Sequence, residues 1–135
     1  MVKNRISKVI AIDFDGTITD RNLFPRIGKP RKDAIKYINK LHTEGHYIII
    51  WTCRGEHSLI AMADWLDKNG VKYNKINENA PLERIGFKPS PKIFADFYID
   101  DRSYQELPCW SEIYRILHER IAKEETQVKE KQFEI

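Results

Sequence analysis

Cysteine is scarce. Cys53 and Cys109 are the only two in 135 residues, which excludes a disulfide scaffold and makes reduced thiols the default. Long apolar runs are missing as well. After a basic start, Val9 to Ile12 is the first such run, and Asp13 ends it. A secretory core needs about 7–15 apolar residues. The run Tyr47 to Trp51 is far short of the roughly 20 residues that span a bilayer. No charge dominates, because 23 Lys and Arg stand against 20 Asp and Glu for a net +3. That balance argues against a polyanionic partner, nucleic acid included. Repeats and low-complexity segments are absent too. The expectation is a cytoplasmic protein with no membrane partner.

What is present suits a folded domain. Apolar residues make up 41% of the chain, and a chain of this length buries roughly 68% of its unfolded surface. Val9-Ile10-Ala11-Ile12 and Tyr47-Ile48-Ile49-Ile50-Trp51 are short, β-branched runs. Such runs read as strands buried on both faces, as in a parallel sheet. Phe97-Tyr98-Ile99 is a third candidate, and Val71-Lys72-Tyr73 a weaker fourth. Between them lie helical periods: Ala34, Ile35, Ile38 and Leu41 after Pro30, then Leu59, Met62, Ala63 and Leu66. A third helix follows Ser111, with Ile113, Ile116, Leu117 and Ile121 on one face. Alternating strands and helices predict an α/β fold with a parallel sheet. Residues 1–123 are expected to form one domain with a small flap at about 17–29. Residues 124–135 read as a charged helical extension or tail. Residues 74–96 read as a long connection with at most a short helix.

The unusual polar residues follow the strands. Asp13 and Asp15 come after the first, Thr52 after the second, Asp100 and Asp101 after Phe97-Tyr98-Ile99. Ligands of an open parallel sheet bind outside the carboxyl ends of its strands, so these residues should meet at one rim. Two carboxylates at the end of a buried strand call for a cation, to which Asp100 can add an oxygen. With no His or Cys at ligand spacing, Mg²⁺ fits better than zinc. Gly16 would let backbone N–H groups approach a phosphate. Thr52 offers a hydroxyl and Lys92 a point charge.

These motifs resemble the haloacid dehalogenase superfamily of phosphohydrolases. VIAIDFDGTIT matches its first motif, YIIIWT its second, Lys92 its third and YIDD its fourth, in family order across residues 9–101. The resemblance implies a three-layer Rossmann-like fold with a parallel central sheet and helices on both faces. It implies a phosphatase that hydrolyses phosphate monoesters through an aspartyl-phosphate. Asp13 would be the nucleophile and Asp15 the general acid and base. Thr52 and Lys92 would hold the phosphoryl group. Asp13, the Asp15 backbone carbonyl and Asp100 would bind Mg²⁺, with Asp101 acting on it indirectly. Asp at position 15 points to a phosphatase or phosphomutase, and the gaps between motifs leave no room for a cap domain, which favours hydrolysis.

Arg54 reads equally as a substrate contact or a solvated residue. Lys88 competes with Lys92. Cys53 reads as a small buried residue, and a thiol paired with His57 is disfavoured. Phe24, Pro25 and Arg26 lie on the flap. Trp51, Trp65 and Trp110 read as core or interface residues. Other readings are a phosphate- or phosphoprotein-binding module without turnover, and a nucleic-acid-end phosphatase. A capless site would be covered by its flap, by a large substrate, or by a neighbouring subunit of a homo-oligomer. Residues 1–32 hold eight Lys or Arg against three Asp, which suits an anionic substrate near the flap.

Overall fold

The computed structural model describes residues 6–88 and 91–132. Its elements are β1 (Val9–Asp13), α1 (Ala34–Thr43), β2 (Tyr47–Trp51), α2 (Glu56–Lys68), β3 (Lys75–Ile76), α3 (Leu82–Ile85), β4 (Phe97–Ile99) and α4 (Trp110–Gln132). The four strands form one sheet in the order β3-β2-β1-β4, with every pairing parallel. This is a Rossmann-like α/β arrangement, and no cap domain accompanies it among the described residues.

Strand alternation divides the core. Ile10, Ile12, Ile48, Ile50, Phe97 and Ile99 pack with Ile38 and Leu41 of α1, Met62 and Leu66 of α2, and Trp110, Ile113 and Leu117 of α4. Val9, Ala11 and Ile49 point the other way, onto Ala80, Ile93 and Ala95. Three long helices thus cover one face, while residues 78–88, with the single turn α3, and residues 91–95 cover the other; residues 89–90 of the expected connection lie outside the described residues. The chain steps outward from β1 to β2 to β3, then returns over the opposite face to β4. Right-handed crossovers require this change of face. The switch point lies between β1 and β4, which places Asp13 and Asp100 side by side.

Several local expectations change. Pro30 does not start α1. It bridges antiparallel to Thr19, and the hydrogen bonds beside it, Asp20 N–H to Lys29 and Arg31 N–H to Ile18, ask for no donor from proline. Residues 19–30 are therefore a closed excursion where the flap was expected. The third pairing on the β2 side falls at Lys75–Ile76, not Val71–Tyr73. Val71 N–H is engaged by the end of α2, through Leu66 O. Pairing begins only where Asn74 exchanges backbone and side-chain hydrogen bonds with Ile48. The charged extension continues α4 without a break to Gln132. Glu124 pairs with Lys8, and Glu125 accepts the Ile6 N–H at 3.1 Å. Residues 133–135 of that extension lie outside the described residues, as do residues 1–5 of the basic start. No helix among the described residues is long and apolar enough to cross a membrane.

Candidate active site

A cavity of about 600 Å³ opens at the carboxyl ends of β1, β2 and β4. It is lined by Asp13, Asp15, Asn22, Phe24, Thr52, Cys53, Arg54, Asp100 and Arg102. The sheet thus brings together residues 87 positions apart.

Asp13 is the last residue of β1. One carboxylate oxygen each from Asp13, Asp100 and Asp101 lies within 4.8 Å of the others, a spacing one cation can bridge. Asp101 therefore stands inside the carboxylate cluster, beside Asp13 and Asp100. Asp13 is pushed up to about 8, first by burial and then by the side-chain hydrogen bond with Asp101, with the charges of Asp100 and Asp101 adding to this. The Thr17 hydroxyl, 2.9 Å from Asp13, pulls the other way. An all-oxygen set of three crowded carboxylates is the donor chemistry of a hard divalent cation.

Thr17 escaped the sequence reading. It is fully buried, touches both Asp13 and Asp101, and accepts the Asp101 N–H at 3.0 Å. Nothing in its position beyond the Asp-x-Asp-Gly-Thr order marked it. Asn77 was missed as well. Its amide accepts the Thr52 N–H and donates to Thr52 O, both at 2.8 Å, which clamps the end of β2. Asn tolerates the left-handed backbone found there, with φ 53°.

Gly16 does not offer its N–H to an anion. That group donates to Thr19 Oγ1 at 2.9 Å inside the loop. The glycine is needed for two other reasons: its φ of +84° and its contact with Asp101, whose carboxylate a Cβ would overlap.

Arg54 does not face solvent, although it lines the cavity. It is 4% exposed and forms a two-pronged pair with Asp15, both contacts at 2.8 Å. Asp15 consequently turns its carboxylate to Arg54 and stands outside the carboxylate cluster. Lys92 is exposed and does not line the cavity. Its ammonium rests 5.0 Å from the centre of the Tyr98 ring, and Tyr98 pairs with Ala11 on the same sheet face as Asp13. Lys88 is exposed as well. Cys53 is an exposed, free thiol on the cavity wall, not a buried filler, because it sits in the loop beyond β2. Among the tryptophans, Trp110 is core, Trp65 packs edge-on against Phe14, and Trp51 is 36% exposed at the end of β2.

A conserved protein from Bacteroides thetaiotaomicron superimposes with a TM-score of 0.76 at 35% identity, over 85% of this chain and 93% of that one. The chain belongs to the same family as that protein. A crystallised target protein from Vibrio cholerae is similar at 28% identity and a TM-score of 0.53, over 87% of this chain and 98% of that one. No family model matches the chain, and no curated protein matches it.

Proposed function

We propose that this chain is a Mg²⁺-dependent phosphatase that hydrolyses phosphate monoesters through an aspartyl-phosphate. The convergence of Asp13, Asp15, Thr52 and Asp100 on one cavity at the switch point carries this reading. The order of the four motifs, which resembles the haloacid dehalogenase superfamily, supplies the chemistry.

Asp13 would attack phosphorus through a carboxylate oxygen. As the bond to the leaving oxygen breaks, Asp15 would give that oxygen a proton. Asp15 would then take a proton from water, whose oxygen attacks phosphorus and releases Asp13 and inorganic phosphate. Thr52 Oγ1 accepts the Arg54 N–H at 3.1 Å, which leaves its proton for a phosphate oxygen. Lys92 would reach the phosphoryl group by leaving the Tyr98 ring. Asp13, Asp100 and the Asp15 backbone carbonyl would hold Mg²⁺, with Asp101 beside them. When bound, Mg²⁺ neutralises the crowded carboxylates and stabilises charge on the phosphoryl oxygens. The free thiols fit a cytoplasmic residence.

The test is hydrolysis of p-nitrophenyl phosphate. Turnover should require Mg²⁺, stop on chelation and vanish in Asp13→Asn. Metal-independent turnover, or full activity in that variant, would sink the reading. The outward position of Lys92 favours a second reading, a phosphate-binding module with weak turnover. Phosphate binding without hydrolysis would select it.

A further inference from the structure

Arg54 is among the most heavily engaged side chains in the protein. A guanidinium carries five N–H donors in a rigid fork, and here all five have acceptors. Nε donates to Asp15 Oδ2 and Nη2 to Asp15 Oδ1, both at 2.8 Å. Nη2 also donates to Arg26 O at 3.0 Å. Nη1 donates to Pro25 O at 3.2 Å and Ser58 O at 3.4 Å. The rings of Phe14 and Phe24 lie 5.6 and 5.1 Å from the guanidinium carbon. Arg54 therefore joins three things: the carboxylate of Asp15, the tip of the 19–30 flap, and the start of α2.

We infer that Arg54 is a positioning residue that couples seating of the flap to the orientation of the Asp15 carboxylate. No donor is left over for a substrate phosphate, so its effect passes through Asp15. Each Asp15 oxygen accepts from the fork with one lone pair, while Asp15 still lines the cavity. The fork thus fixes the plane of the carboxyl group against the reacting centre. If the flap lifts, Arg54 loses two carbonyl acceptors and the pair loosens with it. A site without a cap would in this way align its acid–base group only when the flap is down. The catalytic half of this inference rests on the phosphatase reading; the coupling half does not.

Two measurements test it. The first compares an aryl phosphate, p-nitrophenyl phosphate, with an alkyl phosphate, glycerol phosphate. An aryl leaving group needs little protonation and an alkyl one needs much. In Arg54→Gln, kcat should fall about 100-fold or more for the alkyl ester, in the range of general acid catalysis, and under about 10-fold for the aryl ester, with KM nearly unchanged for both. Arg54→Lys keeps the charge without the fork and should recover only part of the loss. A rise in KM shared by both esters would make Arg54 a substrate contact, and equal kcat losses would make it merely structural. Either result overturns the positioning role.

The second measurement needs no turnover. Amide hydrogen exchange over residues 19–30 is followed in the wild type, Asp15→Ala, Arg54→Gln and the double variant, with amides of β1 and β2 as the control for folding. Each single change should speed flap exchange about 10-fold, and the double change should add little. Unchanged flap exchange in Asp15→Ala, or additive effects, would refute the coupling. If the wild type hydrolyses neither ester, the phosphatase reading fails, and the exchange data alone decide the coupling.

Discussion

The indole N–H of Trp110 donates to the backbone carbonyl of Thr17 at 3.0 Å. That one bond ties the first turn of α4 to the loop after β1, across 93 positions of sequence. Thr17 in turn contacts Asp13 and Asp101 through its hydroxyl. The terminal helix is therefore part of the frame that holds the carboxylate cluster.

Trp110→Phe should test that frame. The substitution removes the donor, leaves the buried Thr17 carbonyl unpaired and opens a small void. An unsatisfied buried group costs about 1–3 kcal/mol, and the void adds to it. Urea unfolding should show a loss of at least about 1 kcal/mol. Any phosphatase activity should fall even at low temperature, where the variant is still folded, because the Thr17 loop is released. Unaltered stability would mean that α4 seats without this bond.

Gly16→Ala separates the backbone demand from the site. At φ +84° an L-residue costs about 1–2 kcal/mol, so the fold should survive. The new methyl would displace the Asp101 carboxylate. Divalent-cation binding, followed by titration against thermal stability, should weaken strongly while the melting temperature without cation drops by about 3–10 °C. Equal cation response in both proteins would remove Asp101 from the cation site.

The legible parts of this fold are those set by a single strong local pattern. Val9–Ile12 and Tyr47–Trp51 are uninterrupted β-branched runs, and the helices have clear periods with glycine stops at Gly45 and Gly70. β3 was misplaced because two residues carry no period; the side chain of Asn74 sets its register. The carboxylates were legible because Asp after a buried strand is costly and therefore conspicuous. Thr17 and Asn77 were not, since a buried hydroxyl and a clamping amide look like ordinary loop residues until the partners are known. Arg54 was visible as a charge, but its burial depends on Asp15, Pro25 and Arg26 arriving from another part of the chain.

Asn77 offers a cleaner dissection. Asn77→Ala loses both bonds to Thr52 and keeps the unfavourable left-handed backbone. Asn77→Gly loses the same bonds but relieves the backbone. The glycine variant should be the more stable by up to about 1–2 kcal/mol, measured by urea unfolding. Both should lose activity equally, because both free the Thr52 backbone. Unequal activity would show that backbone strain, not the amide clamp, governs Thr52.

Asp13 sets the pH response of the metal-free protein. Its carboxyl is raised from an ordinary 3.8 to about 8, chiefly by burial and by the Asp101 hydrogen bond. Between those values the native state holds a proton that the unfolded chain has released. Stability must then fall as pH rises through this window. The melting temperature without divalent cation should decline from about pH 5 to about pH 8, and Asp13→Asn, which cannot ionise, should flatten the decline. A cation favours the charged carboxylates, so Mg²⁺ should raise the melting temperature more at pH 8 than at pH 5. Equal Mg²⁺ stabilisation at both pH values would show that the carboxylate cluster is not what the cation binds, and an unchanged slope in Asp13→Asn would show that Asp13 does not set the pH response.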